Sequence, residues 1–215
     1  VVVCKDESQL STLDELYKRG IANKSNIYLF GENELSNYEP LALTKNKFIW
    51  SPNTWSANPI NLINVIEKEL IELGVKIICD REIVSQRKNI LVDNYKNQYH
   101  YDFVINAAGA HALKIAKIMD IETDFVLLPF RGMYLKSRKK ISCFNTHIYP
   151  VPNISKPFLG IHTTLTSDGY LKLGPTAIPV LSPENYINLR GIDFNYLPNI
   201  IFNQIKLLFK NSFGY

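Results

Sequence analysis

The sequence predicts an α/β (α+β) fold, a layered helix-and-strand part joined to a mostly antiparallel sheet. Three observations predict it. A capped helix closes on a glycine and runs straight into an apolar stretch at 75–79. A second apolar stretch ends in small residues immediately before another helix. From Phe125 to Gly174 the pattern then changes to longer β segments punctuated by proline and glycine.

Taken in chain order, Val1-Val2-Val3-Cys4-Lys5 reads as a strand. A helix is expected from Glu7 to about Ile21, because Leu10, Leu13, Leu16 and Tyr17 fall on one face. Gly31-Glu32-Asn33-Glu34-Leu35 reads as a short helix that runs to Glu39 and is ended by Pro40. Phe48-Ile49-Trp50 is a strand. The clearest helix has Asn58 as its N-cap and Pro59 in its first turn. Ile60, Ile63, Ile66, Leu70 and Leu73 form its stripe and Gly74 closes it. Strands are expected at 75–79, 82–86, 89–92 and 99–106, then a helix from His111 to Met119. Further strands are expected at 125–136, 146–151, 157–165 and 170–173, and a helix at 195–211. These elements suggest parts at 1–56, 57–120 and 121–215.

Composition narrows the class. A chain of 215 residues can bury a real core, and 46% hydrophobic with 20% charged residues excludes disordered and fibrous proteins. The net charge of +4 is mild and dispersed. Its densest run, Lys136-Ser137-Arg138-Lys139-Lys140, reads as a solvated turn, since no aromatic residues interleave with it as in a nucleic-acid groove, so no nucleic-acid partner is expected. Three scattered cysteines and four histidines make no ligand motif, so no metal is expected, and a reducing, cytoplasmic compartment fits. No apolar run approaches the ~20 residues that span a bilayer. With no initiator methionine, Val1 reads as a strand entered midway, which leads to the expectation of a fragment.

The chain carries no GxGxxG, P-loop, GxSxG or HExxH run. Its strongest local feature is Ile105-Asn106-Ala107-Ala108-Gly109-Ala110-His111-Ala112. Small side chains there let backbone approach a ligand, and a following helix start favours an anion such as a pyrophosphate. Tight strand–helix packing without a ligand accounts for the same residues.

A resemblance adds to this. The run from Asp102 to Gly109 resembles the late FAD-contacting strand of D-amino-acid-oxidase-like flavoproteins. Leu128-Pro129-Phe130-Arg131-Gly132-Met133-Tyr134, Ile148-Tyr149-Pro150-Val151-Pro152, Pro157-Phe158-Leu159-Gly160-Ile161-His162-Thr163-Thr164 and Asp168-Gly169-Tyr170-Leu171-Lys172-Leu173-Gly174-Pro175-Thr176-Ala177 follow in order. They resemble the PFRGxY, YPVP, PFLGVHxT and DGxxxxGPxA runs of the L-2-hydroxyglutarate oxidase/dehydrogenase family. Glu39-Pro40 and Ser51-Pro52 also fall where that family has EP and SP. Trp55-Ser56-Ala57-Asn58 departs from the family's Gly-Ile-x-Asp run, and Met133 stands where an acidic residue is usual.

The resemblance implies part of a Rossmann-like FAD-binding domain and a substrate domain, FAD as cofactor, and oxidation of a 2-hydroxy acid, L-2-hydroxyglutarate, to its 2-oxo acid. Oxygen or a quinone would take the electrons, and the surface of the inner membrane is an alternative location. It implies cofactor contacts at Val84, Ala107, Ala108, Gly109 and His111, with helix-end hydrogen bonding as the competing role for His111. It places His162 and Thr164 on one strand face. His162 is then the candidate proton acceptor, Arg131 a carboxylate clamp, and Tyr149 a substrate hydrogen-bonding group. The competing roles are a structural hydrogen bond for His162 and an ion pair for Arg131. The family's GxGxxG turn would lie before Val1 and its glycine-rich closing segment after Tyr215, so the isolated chain is expected to be inactive, its missing segments possible separate chains. Another oxidase of the superfamily, acting on an amino acid or glycerol 3-phosphate, and a non-catalytic gene fragment or split subunit are the alternatives.

Overall fold

The computed structural model describes residues 1–153, 158–187, 190–194 and 196–209. The chain divides into two compact units. The first comprises residues 1–65 and 131–178; the second comprises 66–130 and the described residues from 179 on.

The first unit is built on a four-stranded sheet of order β2-β3-β1-β8, formed by Val2–Val3 (β1), Tyr28–Gly31 (β2), Lys47–Trp50 (β3) and Tyr149–Pro150 (β8). Only β1 and β8 run parallel; the other pairs are antiparallel. Alternation along β3 decides the core. Phe48, fully buried, joins Val3, Leu35 and Ala42 on one face, while Ile49 joins Cys4, Leu13 and Val151 on the other. The helix Leu10–Ala22 (α1) covers that second face with the expected stripe, since Leu10, Leu16 and Tyr17 pack around buried Leu13. Tyr38 closes the first face, its ring 5.1 Å from Phe30 and 5.0 Å from Trp50. The short helix expected after Gly31 is a 3-10 helix, Glu32–Asn37.

Buried Glu39 ties a distant loop to this core. Its Oε2 accepts from the backbone N–H groups of Asn145 (2.7 Å) and Thr146 (3.0 Å), and its Oε1 from that of Leu41 (3.1 Å). This fixes the approach to β8. A second, three-stranded sheet has the order β7-β10-β9, from Phe130–Lys136 (β7), His162–Leu165 (β9) and Leu171–Pro179 (β10). β9 and β10 pair antiparallel, with Gly174 opposite His162. An antiparallel bridge between Ile148 and Thr163 stitches β9 to the residue before β8.

The second unit holds the antiparallel meander of Ile83–Arg87 (β4), Ile90–Asp93 (β5) and Gln98–His100 (β6), with a bulge at Val84, the helix Ala112–Ile118 (α3) and the helix Leu197–Phe209 (α4). The helix Pro59–Glu72 (α2) starts as the sequence requires. Asn58 Oδ1 accepts from Ile60 N–H at 2.9 Å, and Gly74 N–H closes the far end on Ile71 C=O. The boundary between the units falls within it.

Several expectations need correction. Residues 75–79 and 101–106 form no ladder, and the strand expected at 99–106 is confined to β6. An apolar run becomes a strand only with a hydrogen-bonding neighbour. Among the described residues neither run has a ladder partner, Tyr101 N–H reaching only the Asn89 carbonyl, and Phe103 and Ile105 are over nine-tenths exposed. Residues 125–129 form no strand either, although the Pro129 carbonyl accepts from Val180 N–H, so β7 starts at Phe130. The stripe of α2 is likewise exposed at Ile60, Ile63, Ile66 and Leu73. β2 was not expected, and β10 extends beyond Leu173 to Pro179. Pro157, Asn195 and residues 210–215 lie outside the described residues.

Candidate functional site

Two groups of residues carry chemistry, one in each unit. In the second unit a cleft of about 540 Å³ is walled by Ile83, Asn106, Ala107, Ala108 and His111, with Arg81 and Lys114 also on its lining. Asn106 shapes the turn. Its Nδ2 donates to the Ala112 carbonyl (2.9 Å) and its Oδ1 accepts from Ala108 N–H (3.3 Å). Gly109 follows at φ +53°, left-handed backbone that side chains disfavour, although a Cβ there would meet nothing within 4 Å. Glycine is thus set by conformation, not crowding. Val84 sits in the β4 bulge beside the lining residues Arg81, Glu82 and Ile83.

The cleft's two cations differ. Lys114 is ion-paired with Glu82. Arg81 is held: its guanidinium lies 4.3 Å over the Tyr95 ring and its Nε 3.4 Å from Asp93 Oδ2. Asp93 is buried and accepts from Tyr95 N–H (2.9 Å), Asn97 N–H (2.8 Å), Asn97 Nδ2 (2.9 Å) and Tyr99 O–H (2.8 Å). Burial raises its pKa, but the bonds from Asn97, Tyr99 and Tyr95 outweigh that and hold it at about 2. His111 Nε2 pairs with Glu184 Oε1 at 2.9 Å, and its ring meets Tyr196 edge-on. At this helix end the ring is thus within hydrogen-bond distance of the Glu184 carboxylate, and it also lines the cleft.

In the first unit the Ile148–Thr163 bridge brings Tyr149 against His162. The rings stack with centroids 4.4 Å apart and 20° from parallel. His162 is buried, its Nδ1 2.9 Å from the Gly160 carbonyl, and it lines a cleft of about 530 Å³ with Phe158, Gly160 and Leu173. Thr164 shares the face of His162 by alternation. From β7, Tyr134 is the residue that meets His162, edge-on at 6.4 Å. The structure brings Tyr149 and Tyr134 to the ring of His162, while Arg131 has the opposite parity to Tyr134 along β7.

Sequence reasoning missed Tyr134, which only the strand's alternation could have flagged, and the buried His147. His147 Nδ1 accepts from Leu165 N–H (2.9 Å) and its Nε2 lies 3.4 Å from Ser56 Oγ. Burial lowers its pKa, and the N-terminal ammonium and then His162 add to that.

A family model described as FAD dependent oxidoreductase matches residues 1–205. The chain belongs to the FAD dependent oxidoreductase family. It is 27% identical over 201 residues to an L-2-hydroxyglutarate dehydrogenase of Escherichia coli O17:K52:H18, covering 91% of this chain and 47% of that protein. It is 28% identical to the mitochondrial L-2-hydroxyglutarate dehydrogenase of Bos taurus, covering all of this chain and 50% of that one. The chain therefore spans about half the length of these curated relatives. Its fold matches L-proline dehydrogenase from P. horikoshii (TM-score 0.73, 15% identity, 98% of this chain and 56% of that one). It also matches FAD-bound L-alpha-glycerophosphate oxidase from Mycoplasma pneumoniae (TM-score 0.65, 23% identity, 93% and 54%). Among the described residues no helix is long and apolar enough to cross a membrane.

Proposed function

We propose that this chain is part of a flavoenzyme that oxidises L-2-hydroxyglutarate to 2-oxoglutarate. The observation that carries it is the buried, ring-stacked His162 within the PFLGxH run, in a chain whose relatives are named L-2-hydroxyglutarate dehydrogenases. In this reading the second unit holds FAD. Small residues Ala107 and Ala108 admit the cofactor closely, Gly109 supplies the turn, Val84 borders the adenine, and Arg81 and Lys114 offset the diphosphate charge. When bound, FAD supplies the two-electron acceptor for the substrate Cα. The first unit supplies the proton chemistry. His162 takes the hydroxyl proton, and Thr164 and Tyr149 orient the substrate. Arg131 is the candidate carboxylate clamp, with an ion pair as its competing role.

The exposed apolar stripe of α2 and the runs at 75–79 and 101–106 are proposed to receive the remaining portion of the FAD-binding domain, on this chain or a separate one. Oxygen or a quinone is the proposed final acceptor.

The test adds FAD to the purified chain, with and without the N-terminal flavin-binding portion of a relative supplied in trans, and follows flavin absorbance under anaerobic conditions. The expected pattern is weak retention alone, retention with the added portion, and bleaching by L-2-hydroxyglutarate. Bleaching by glycine or glycerol 3-phosphate instead would move the substrate to another branch of the family. Failure to retain FAD in either case would sink the flavoenzyme reading.

A further inference from the structure

We infer that the two buried histidines of the first unit are locked in opposite tautomers, and that His162 Nε2 is the proton-accepting atom, positioned by the Gly160 carbonyl and the Tyr149 ring. The tautomers follow from what each partner can do. A carbonyl oxygen only accepts, so His162 Nδ1, 2.9 Å from Gly160 O, carries the hydrogen. A backbone N–H only donates, so His147 Nδ1, 2.9 Å from Leu165 N, carries the lone pair and its neutral ring is protonated at Nε2, toward Ser56 Oγ.

The consequence is asymmetric. The lone pair of His147 is committed to the backbone of β9, and protonating Nδ1 would break that bond. Its chemistry is structural. For His162, no hydrogen bond to Nε2 is formed among the described residues, so the lone pair of the neutral ring is available to a ligand. The stack of Tyr149 at 4.4 Å on one side and the edge of Tyr134 at 6.4 Å restrict rotation of the ring, and the Gly160 bond sets which nitrogen turns outward. When a substrate hydroxyl is deprotonated, its O–H bond breaks and an N–H bond forms at Nε2. The resulting imidazolium keeps its Nδ1–H bond to Gly160, and FAD, when bound, would supply the acceptor for the hydride lost from the substrate Cα. The base role rests on that proposed function; the tautomer pattern does not.

Both parts are testable on the full chain. Long-range proton–nitrogen correlation spectra of ¹⁵N-histidine-labelled protein are expected to show His162 with a pyrrole-type Nδ1 and pyridine-type Nε2, and His147 with the reverse. His162 in the Nε2–H form overturns the inference, whatever the substrate. Tyr149→Phe should keep the His162 pattern, and Tyr149→Ala should mix its tautomers; an unchanged pattern in Tyr149→Ala removes Tyr149 as a positioning residue. In flavin-loaded protein, His162→Asn, whose amide can still donate to Gly160, should slow flavin reduction by about 10²–10⁴-fold. Reduction at the wild-type rate overturns the base assignment. Wild-type protein that loads flavin but is never reduced by the hydroxy acid, with the tautomers as stated, overturns the proposed function and with it the base role.

Discussion

Tyr149 and His162, from strands of two different sheets, stack at 4.4 Å because the single bridge between Ile148 and Thr163 aligns the residues on either side of it. An aromatic pair of this geometry contributes about 0.5–1.5 kcal/mol beyond its area burial. Tyr149→Ala should therefore lower unfolding free energy by at least that much, while Tyr149→Phe, which keeps the ring, stays within about 0.5 kcal/mol of wild type. Urea titrations of the three proteins check this; equal losses in both variants would place the stabilisation in the hydroxyl instead.

Gly109 and Gly174 separate conformation from crowding. At Gly109 only the left-handed backbone opposes a side chain, so Gly109→Ala should cost about 1–2 kcal/mol and Gly109→Asn less. At Gly174, φ is +150° and a Cβ would stand 2.7 Å from the Met133 carbonyl oxygen and 2.8 Å from the Tyr134 ring, directly opposite His162. Gly174→Ala should cost more, about 2–4 kcal/mol, and disturb the His162 resonances. Denaturation midpoints ranking Gly109→Ala as the worse variant would contradict this reading.

The contrast between these glycines also shows what was legible in the sequence. Local chemistry was. The Asn58–Pro59 start of α2, the Leu13 face of α1 and the small-residue turn at Ala107–Gly109 each depend on neighbours in the chain and stand where expected. Partnership was not. The runs at 75–79 and 101–106 have strand composition, yet ladder bonds come from another segment that the run does not encode. Tyr28–Gly31 does pair, with β3, although four residues are too short to show alternation. At the candidate site, the motif order singled out His162, but the Ile148–Thr163 bridge and the placing of β7 and β9 on either side of β10 decide that Tyr149 and Tyr134 meet its ring.

Asp93 predicts acid sensitivity in the second unit. Its folded pKa of about 2 lies below the ordinary value of about 3.9. The unfolded chain thus binds more protons between these values, and the sign follows. The stabilisation is complete above about pH 4 and is lost as pH falls toward 2. Amide hydrogen exchange at Tyr95 and Asn97, which donate to this carboxylate, should accelerate over that range. Asp93→Asn should show fast exchange already at neutral pH and lose the acid step. A step that persists in Asp93→Asn would assign it to another carboxylate.

His147 predicts a second, milder transition at higher pH in the first unit. Burial lowers its pKa below the ordinary value of about 6.5, so here too the unfolded state takes up the proton first. Stability should be level above about pH 6.5 and decline below it. Protonation also competes with the Leu165 N–H for Nδ1, so the loss should centre on β9 and its bridge to Ile148. His147→Asn, neutral throughout, should flatten the pH dependence of the thermal midpoint between about pH 5 and 7 while lowering the midpoint itself at pH 7. If the slope in that range survives unchanged in His147→Asn, His147 is not the source of the acid response.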